Sequence, residues 1–177
     1  MKFLRRQFMH QTAGTLVSVL VLYAVLSVPI AAQEAPLKDQ LAGVWTLVFA
    51  DNVAPDGTRR QVFGAAPKGI MILDASGRYS EMIIGSDRPT FASNNRLQGT
   101  AEENKAVIAG TIAAFGSWSV NEADKTIAMN IEGSIFPNQD GTDGRRLIIS
   151  VTPAILKIAN PGAGAGGRAE AEYRRAK

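Results

Sequence analysis

The side chains able to move a proton or hold a metal are sparse in this sequence, and their absence narrows the chemistry first. There is no cysteine, and the only histidine is His10. If the first 32 residues are removed, as argued below, the remaining chain has neither residue. It then lacks the usual zinc ligands, the Ser-His-Asp and Cys-His nucleophiles, and any disulfide. Proton transfer would fall to Asp, Glu, Tyr, Lys or Arg. The candidates for contact with a bound molecule are Tyr79, Trp118, Asn130, Glu132 and Arg146. A few polar groups of this kind orient a largely apolar ligand.

Two motifs fail on context. Gly162 to Gly167 satisfies G-x-G-x-x-G, but no helix follows and no βαβ unit surrounds it, so a pyrophosphate would lack its helix N-terminus. The run reads as a loop between the last two strands. Asn138 to Gly144 gathers oxygen ligands, yet its spacing misses the EF-hand, and Ile149 stands where the bidentate Glu belongs. It reads as a solvated turn. No cofactor and no metal are expected.

The elements that must position the candidates are strands. Leu41 to Ala50 alternates as a first strand, and Gln33 to Asp39 before it reads as a polar lead-in. Lys68 to Leu73 and Arg78 to Ile84 flank Asp74-Ala75-Ser76-Gly77, a hairpin whose glycine supplies a positive φ. Gly116 to Val120 and Thr126 to Glu132 form a second hairpin. Arg145 to Val151, Ala154 to Ala159 and Ala169 to Arg175 complete about eight strands, the pattern of a sandwich or barrel. One helix interrupts them. Thr100-Ala101-Glu102-Glu103 has capping-box form and predicts a short helix over 101–109, at one end of the barrel or along its side.

Alternation separates Tyr79, Glu81 and Ile83 from Ser80, Met82 and Ile84, and Ala128, Asn130 and Glu132 from Ile127, Met129 and Ile131. It does not say which set faces inward. The polar sets either lie in solvent or line a cavity.

The amino terminus reads as an export leader. Lys2, Arg5 and Arg6 precede an uncharged run from Gln11 to Gln33 that ends in Pro29 and small residues. Cleavage is expected after Ala32, leaving 33–40 as a linker and 41–177 as one domain. Arg5-Arg6-Gln7-Phe8 resembles the core of a twin-arginine signal. The destination is then the bacterial periplasm or the outside of the cell. The alternative is an uncleaved anchor, since roughly 20 apolar residues span a bilayer. Membrane contact would be through that segment alone. The leader also carries three of the 19 basic residues and none of the 16 acidic ones. The processed chain is formally neutral, with no field to attract nucleic acid.

Leu41 to Trp45, Phe63-Gly64, Pro67 to Gly69, Asp74 to Ser80, Asp87 to Pro89, Phe115 to Val120 and Glu132 to Ser134, in that order, resemble the bacterial and fungal lipocalin-like domain family. The resemblance implies an all-β fold, an eight-stranded antiparallel lipocalin-like barrel with one short helix and a small-molecule cavity. It further implies that Trp45 packs across the closed end with Arg175 over its indole, a cation–π pair worth about 0.5–2 kcal/mol. Histidine is common in the family at the strand holding Met129 and Asn130, so any chemistry resting on it is in doubt here. The expected function is binding of a small apolar or amphipathic molecule. The alternatives are a cofactor-independent cyclase, isomerase or hydratase acting on a polyketide- or terpenoid-like substrate, and a filled barrel with no cavity of about 300 Å³.

Overall fold

The computed structural model describes residues 35–162 and 167–177. The leader assigned to 1–32, and 163–166 of the glycine-rich run, lie outside the described residues. The first described element is a short helix, α1 (Leu37–Leu41), where the sequence suggests only a polar lead-in. It then runs through β1 (Gly43–Val53), β2 (Arg59–Arg60), β3 (Lys68–Leu73), β4 (Arg78–Ile84), α2 (Ala101–Ala109), β5 (Thr111–Asn121), β6 (Thr126–Ser134), β7 (Thr142–Val151), β8 (Ile155–Asn160) and β9 (Arg168–Arg175).

From β3 to β9 each strand pairs antiparallel with the next, and β1 pairs with both β3 and β9. That last pairing closes the sheet into an eight-stranded barrel and removes its open edges. The two-residue β2 uses the edge of β1 that β3 leaves free, pairing Asn52 with Arg60 and Val53 with Arg59. Because β8 and β9 are antiparallel neighbours, the glycine-rich run joins two strands of a meander and belongs to no βαβ unit.

Closure demands curvature, and three irregularities in register supply it, between Leu47 and Phe49, Phe115 and Gly116, and Ile148 and Ser150. At the second of these the strands approach so closely that a Cβ on Gly116 would overlap the carbonyl oxygen of Asn130. Only glycine fits there.

Alternation sorts the side chains. In β4, Tyr79, Glu81 and Ile83 are buried while Arg78, Ser80 and Met82 are exposed. In β6, Ile127, Met129 and Ile131 are buried while Ala128, Asn130 and Glu132 are exposed. Trp45, Tyr173, Leu41, Met71, Leu73, Ile127 and Leu156 are fully buried and form the centre of the core. Each large apolar side chain of this kind contributes about 1.5–3 kcal/mol on burial.

The two ends differ. At one end lie α1, the Asp74–Gly77 turn and the start of β1; the indole Nε1 of Trp45 donates to Leu41 O at 2.8 Å, and Trp118 Nε1 donates to Asp74 O at 2.8 Å. The Arg175 guanidinium stacks 4.0 Å from the Trp45 ring centroid and donates to the carbonyls of Ala42, Gln40 and Pro153. This end is plugged. At the other end are the longer connections, including α2, whose capping box forms as the sequence predicts: Thr100 Oγ1 accepts from Glu103 N, and the Glu103 carboxylate accepts from Thr100 N. No residue of α2 is buried. Among the described residues no helix is long and apolar enough to cross a membrane.

Candidate functional site

The open end leads to a cavity of about 70 Å³ inside the barrel. Its apolar wall includes Ile83 of β4, Ile112 of β5, Ile158 of β8, and Ala50, Ala169 and Ala171 of β1 and β9. The three alanines leave the space that larger side chains fill nearer the plugged end. Asn52 and Asn160 add two uncharged amides.

At its inner end the cavity meets Glu81 and Arg146. Glu81 is placed inward by the period of β4, on the same face as Tyr79 and Ile83. Its Oε1 accepts from the Tyr173 hydroxyl at 2.8 Å, and its Oε2 lies 3.7 Å from Arg146 Nη2. The Glu81 side chain is 7% exposed and that of Arg146 17%. Burial pushes the Tyr173 phenol well above its usual range, and the Glu81 carboxylate beside it pushes the same way. Burial likewise raises the Tyr79 phenol, with Glu81 contributing.

Above the cavity, the turn carrying Val62 and Phe63 forms its cover. Ser86 N donates to Phe63 O at 2.9 Å, tying the turn to the loop after β4. Gly64 makes that turn possible, with φ of 79° and no room for a Cβ beside Ser86 and Asp87. Beyond Phe63 is a second hollow of about 180 Å³, bounded by Arg88, Ala106 and Gly110. Val62 and Phe63 border both spaces. A rim network flanks them, in which Arg59 pairs with Asp51 and Glu170, Arg168 pairs with Glu170, and the Arg59 guanidinium lies 5.4 Å from the Phe49 ring centroid. Burial alone would raise the Glu170 carboxyl, but hydrogen bonds from Arg168 and Arg59 outweigh it and hold it below its usual value.

Of the five residues singled out for ligand contact, only Arg146 borders the cavity. Tyr79 points inward and is buried, but is not part of the cavity wall. Trp118 is buried toward the plugged end, bonded to the Asp74 turn. Asn130 and Glu132 are not brought to the interior. Asn130 donates to Asp143 Oδ1 at 3.1 Å on the outer face, where it borders a shallow groove, and Glu132 accepts a two-pronged bond from Arg78. Their outward aim follows from Ile127, Met129 and Ile131, which share the other face and have the stronger claim on the core. Glu81, Tyr173, Asn52 and Asn160 were not nominated. The alternation of β4 had already put Glu81 on the face of Tyr79 and Ile83, and that was the available signal.

The oxygen-rich turn is also accounted for: Asp140 Oδ1 accepts from Ser134 N at 2.7 Å, beside a 3-10 turn at Pro137–Gln139. No group of acidic or histidine side chains among the described residues is arranged to hold a metal.

A closed antiparallel meander with one plugged end, one mouth and a small interior cavity defines a barrel of the lipocalin type. The chain belongs to the lipocalin-like domain family, whose model matches residues 42–154. No curated protein matches it. Among solved structures it is similar to a redesigned beta barrel, at 14% identity and a TM-score of 0.40, covering 79% of this chain and 95% of that one. It is equally similar to a de novo designed fluorescence-activating beta barrel, at 14% identity and TM-score 0.40, covering 81% of this chain and all of the other.

Proposed function

We propose that this protein is exported and binds a small apolar or amphipathic molecule in its barrel. One observation carries the reading: an interior space with an apolar wall ends on Glu81 and Arg146, two charged side chains that a barrel built only for stability would replace with packed hydrophobes. Apolar burial at about 25 cal/mol per Å² supplies the affinity and the polar end sets orientation. Export is read from the leader-like composition of residues 1–32, which places the protein in the periplasm or outside the cell.

The cavity is much smaller than the roughly 300 Å³ of a drug-sized pocket and so meets the condition set for a filled barrel, against which the binding reading stands on the charged inner end. Long retinoids and fatty acids fit only if the Phe63 turn moves and joins the second hollow to the first. A test therefore grades its probes by size. Protein from its native compartment is examined by non-denaturing mass spectrometry, then titrated with apolar probes of increasing length. The expected result is a co-purifying small molecule, or saturable binding lost on Ala171→Phe, which fills the cavity. Absence of both sinks the reading in favour of a filled barrel.

A second reading draws on the Glu81–Tyr173 contact, a buried carboxylate beside a phenol in reach of the cavity. It makes the protein a cyclase, isomerase or hydratase in which Glu81 moves a proton. Under it, the co-purified ligand incubated in heavy water gains deuterium or changes structure. A carrier returns it unaltered.

A further inference from the structure

We propose that the inner end of the cavity recognises a single neutral hydroxyl, so that the ligand is a compact alcohol and neither a carboxylate nor an amine. The inference rests on the binding reading above and names the chemistry of the same site.

Glu81 Oε1 is occupied by the Tyr173 hydroxyl at 2.8 Å. Glu81 Oε2 and Arg146 Nη2 stand 3.7 Å apart, too far for a direct N–H···O bond of about 2.7–3.2 Å. Arg146 has five N–H groups. Among the described residues its one hydrogen bond runs from Nη1 to Arg145 O at 3.3 Å. An acceptor and a donor thus lie side by side on the cavity wall, with no hydrogen bond between them and room for a partner only on the cavity side. A hydroxyl oxygen about 2.8 Å from each accepts from Nη2 and donates to Oε2, completing both.

The competing headgroups each satisfy only one side. A carboxylate accepts from Arg146 but has no proton for Glu81 and meets its charge. An ammonium donates to Glu81 but has no lone pair for Arg146. The two protein charges cancel, and the other polar side chains of the wall, Asn52 and Asn160, are neutral. Asp51 and Glu170 at the rim are already engaged by Arg59. The body of the ligand is compact, because about 70 Å³ is less than half of the roughly 150 Å³ that accommodates benzene in an engineered cavity.

The test uses three probes of one chain length, 1-butanol, butyrate and butylammonium, each titrated at neutral pH into the isotope-labelled protein and followed by amide chemical shifts. The expected result is saturable shifts at Glu81, Arg146 and Ala171 with 1-butanol, at an affinity about tenfold or more above the other two. Glu81→Gln, which leaves Arg146 unopposed, is expected to move the preference to butyrate by a similar factor. Wild-type binding of butyrate or butylammonium as tight as that of 1-butanol overturns the hydroxyl assignment and leaves the binding reading standing. So does a folded Glu81→Gln protein that keeps the wild-type order. No saturable shift from any probe, the outcome if water alone bridges the pair, overturns the hydroxyl assignment, and the binding reading is then decided by the co-purification and graded-probe test above. The wild-type comparison stands whether or not the variant folds.

Discussion

Glu81 is the residue on which the interior turns, and its support is specific. Removing the Tyr173 hydroxyl leaves a buried carboxylate oxygen without a donor, a loss of about 1–3 kcal/mol. Tyr173→Phe is expected to lower the urea midpoint by a corresponding amount without changing the slope. The same substitution has a pH signature. The folded-state pKa of Tyr173 is raised, so its stabilisation is complete below the ordinary phenol value of 10.0 and is lost as pH rises from there through the folded value. The Phe variant should therefore show a flatter loss of stability above that pH. At this scale the sequence was only half legible. The period of β4 grouped Tyr79 with Glu81, but it could not say that Asn130 and Glu132 face away, because the choice between two mixed faces is made by neighbouring strands. Tyr173 was hidden for the same reason: its partner is 92 residues distant, and no local pattern links them.

The elements were more legible, because their signals are local. The Asp74–Gly77 hairpin appears as read, with Gly77 at φ 96°, and α2 starts at the capping box that announces it. Thr100→Ala removes one half of that box and is expected to cost the helix about 1 kcal/mol. Since α2 buries no residue, the effect should appear as faster amide exchange at Glu103 and Asn104, with the global unfolding midpoint nearly unchanged. Faster exchange throughout the barrel would contradict this. Two short elements escaped sequence reading for a physical reason. The helix α1 spans five residues, and the plugged end over Trp45 holds it by burying Leu41. The strand β2 has two residues and is held by its pairing to Asn52 and Val53. Neither has a periodicity long enough to detect.

For the whole molecule, three of the seven ion pairs among the described residues share the rim network around Arg59 and Glu170. Glu170 has a folded-state pKa below the ordinary carboxyl value of 4.5, so the stabilisation it gives is present above that value and fades as pH falls through the folded one. Acid is thus expected to loosen the junction of β1, β2 and β9 before the plugged end, which rests on apolar burial and on the Arg175 hydrogen bonds to backbone carbonyls. Thermal melts of wild type and Glu170→Gln should converge as the pH falls below 4.5 and through the lowered folded value; divergence would show that the network does not carry the acid sensitivity. The pairing of β1 with β9 has a different consequence, in time. Arg175 reaches back to Ala42 across 133 residues, and Trp45 finds its stacking partner only through that strand. Every other pairing of the barrel joins a strand to the barrel strand before it, so a growing chain can zip seven such pairs in order, from β1–β3 to β8–β9, before the ends meet. Closure needs the last strand, and a pairing of such sequence separation is slow to form, so refolding followed by stopped-flow fluorescence of Trp45 and Trp118 is expected to be slower than that of a helical domain of this length.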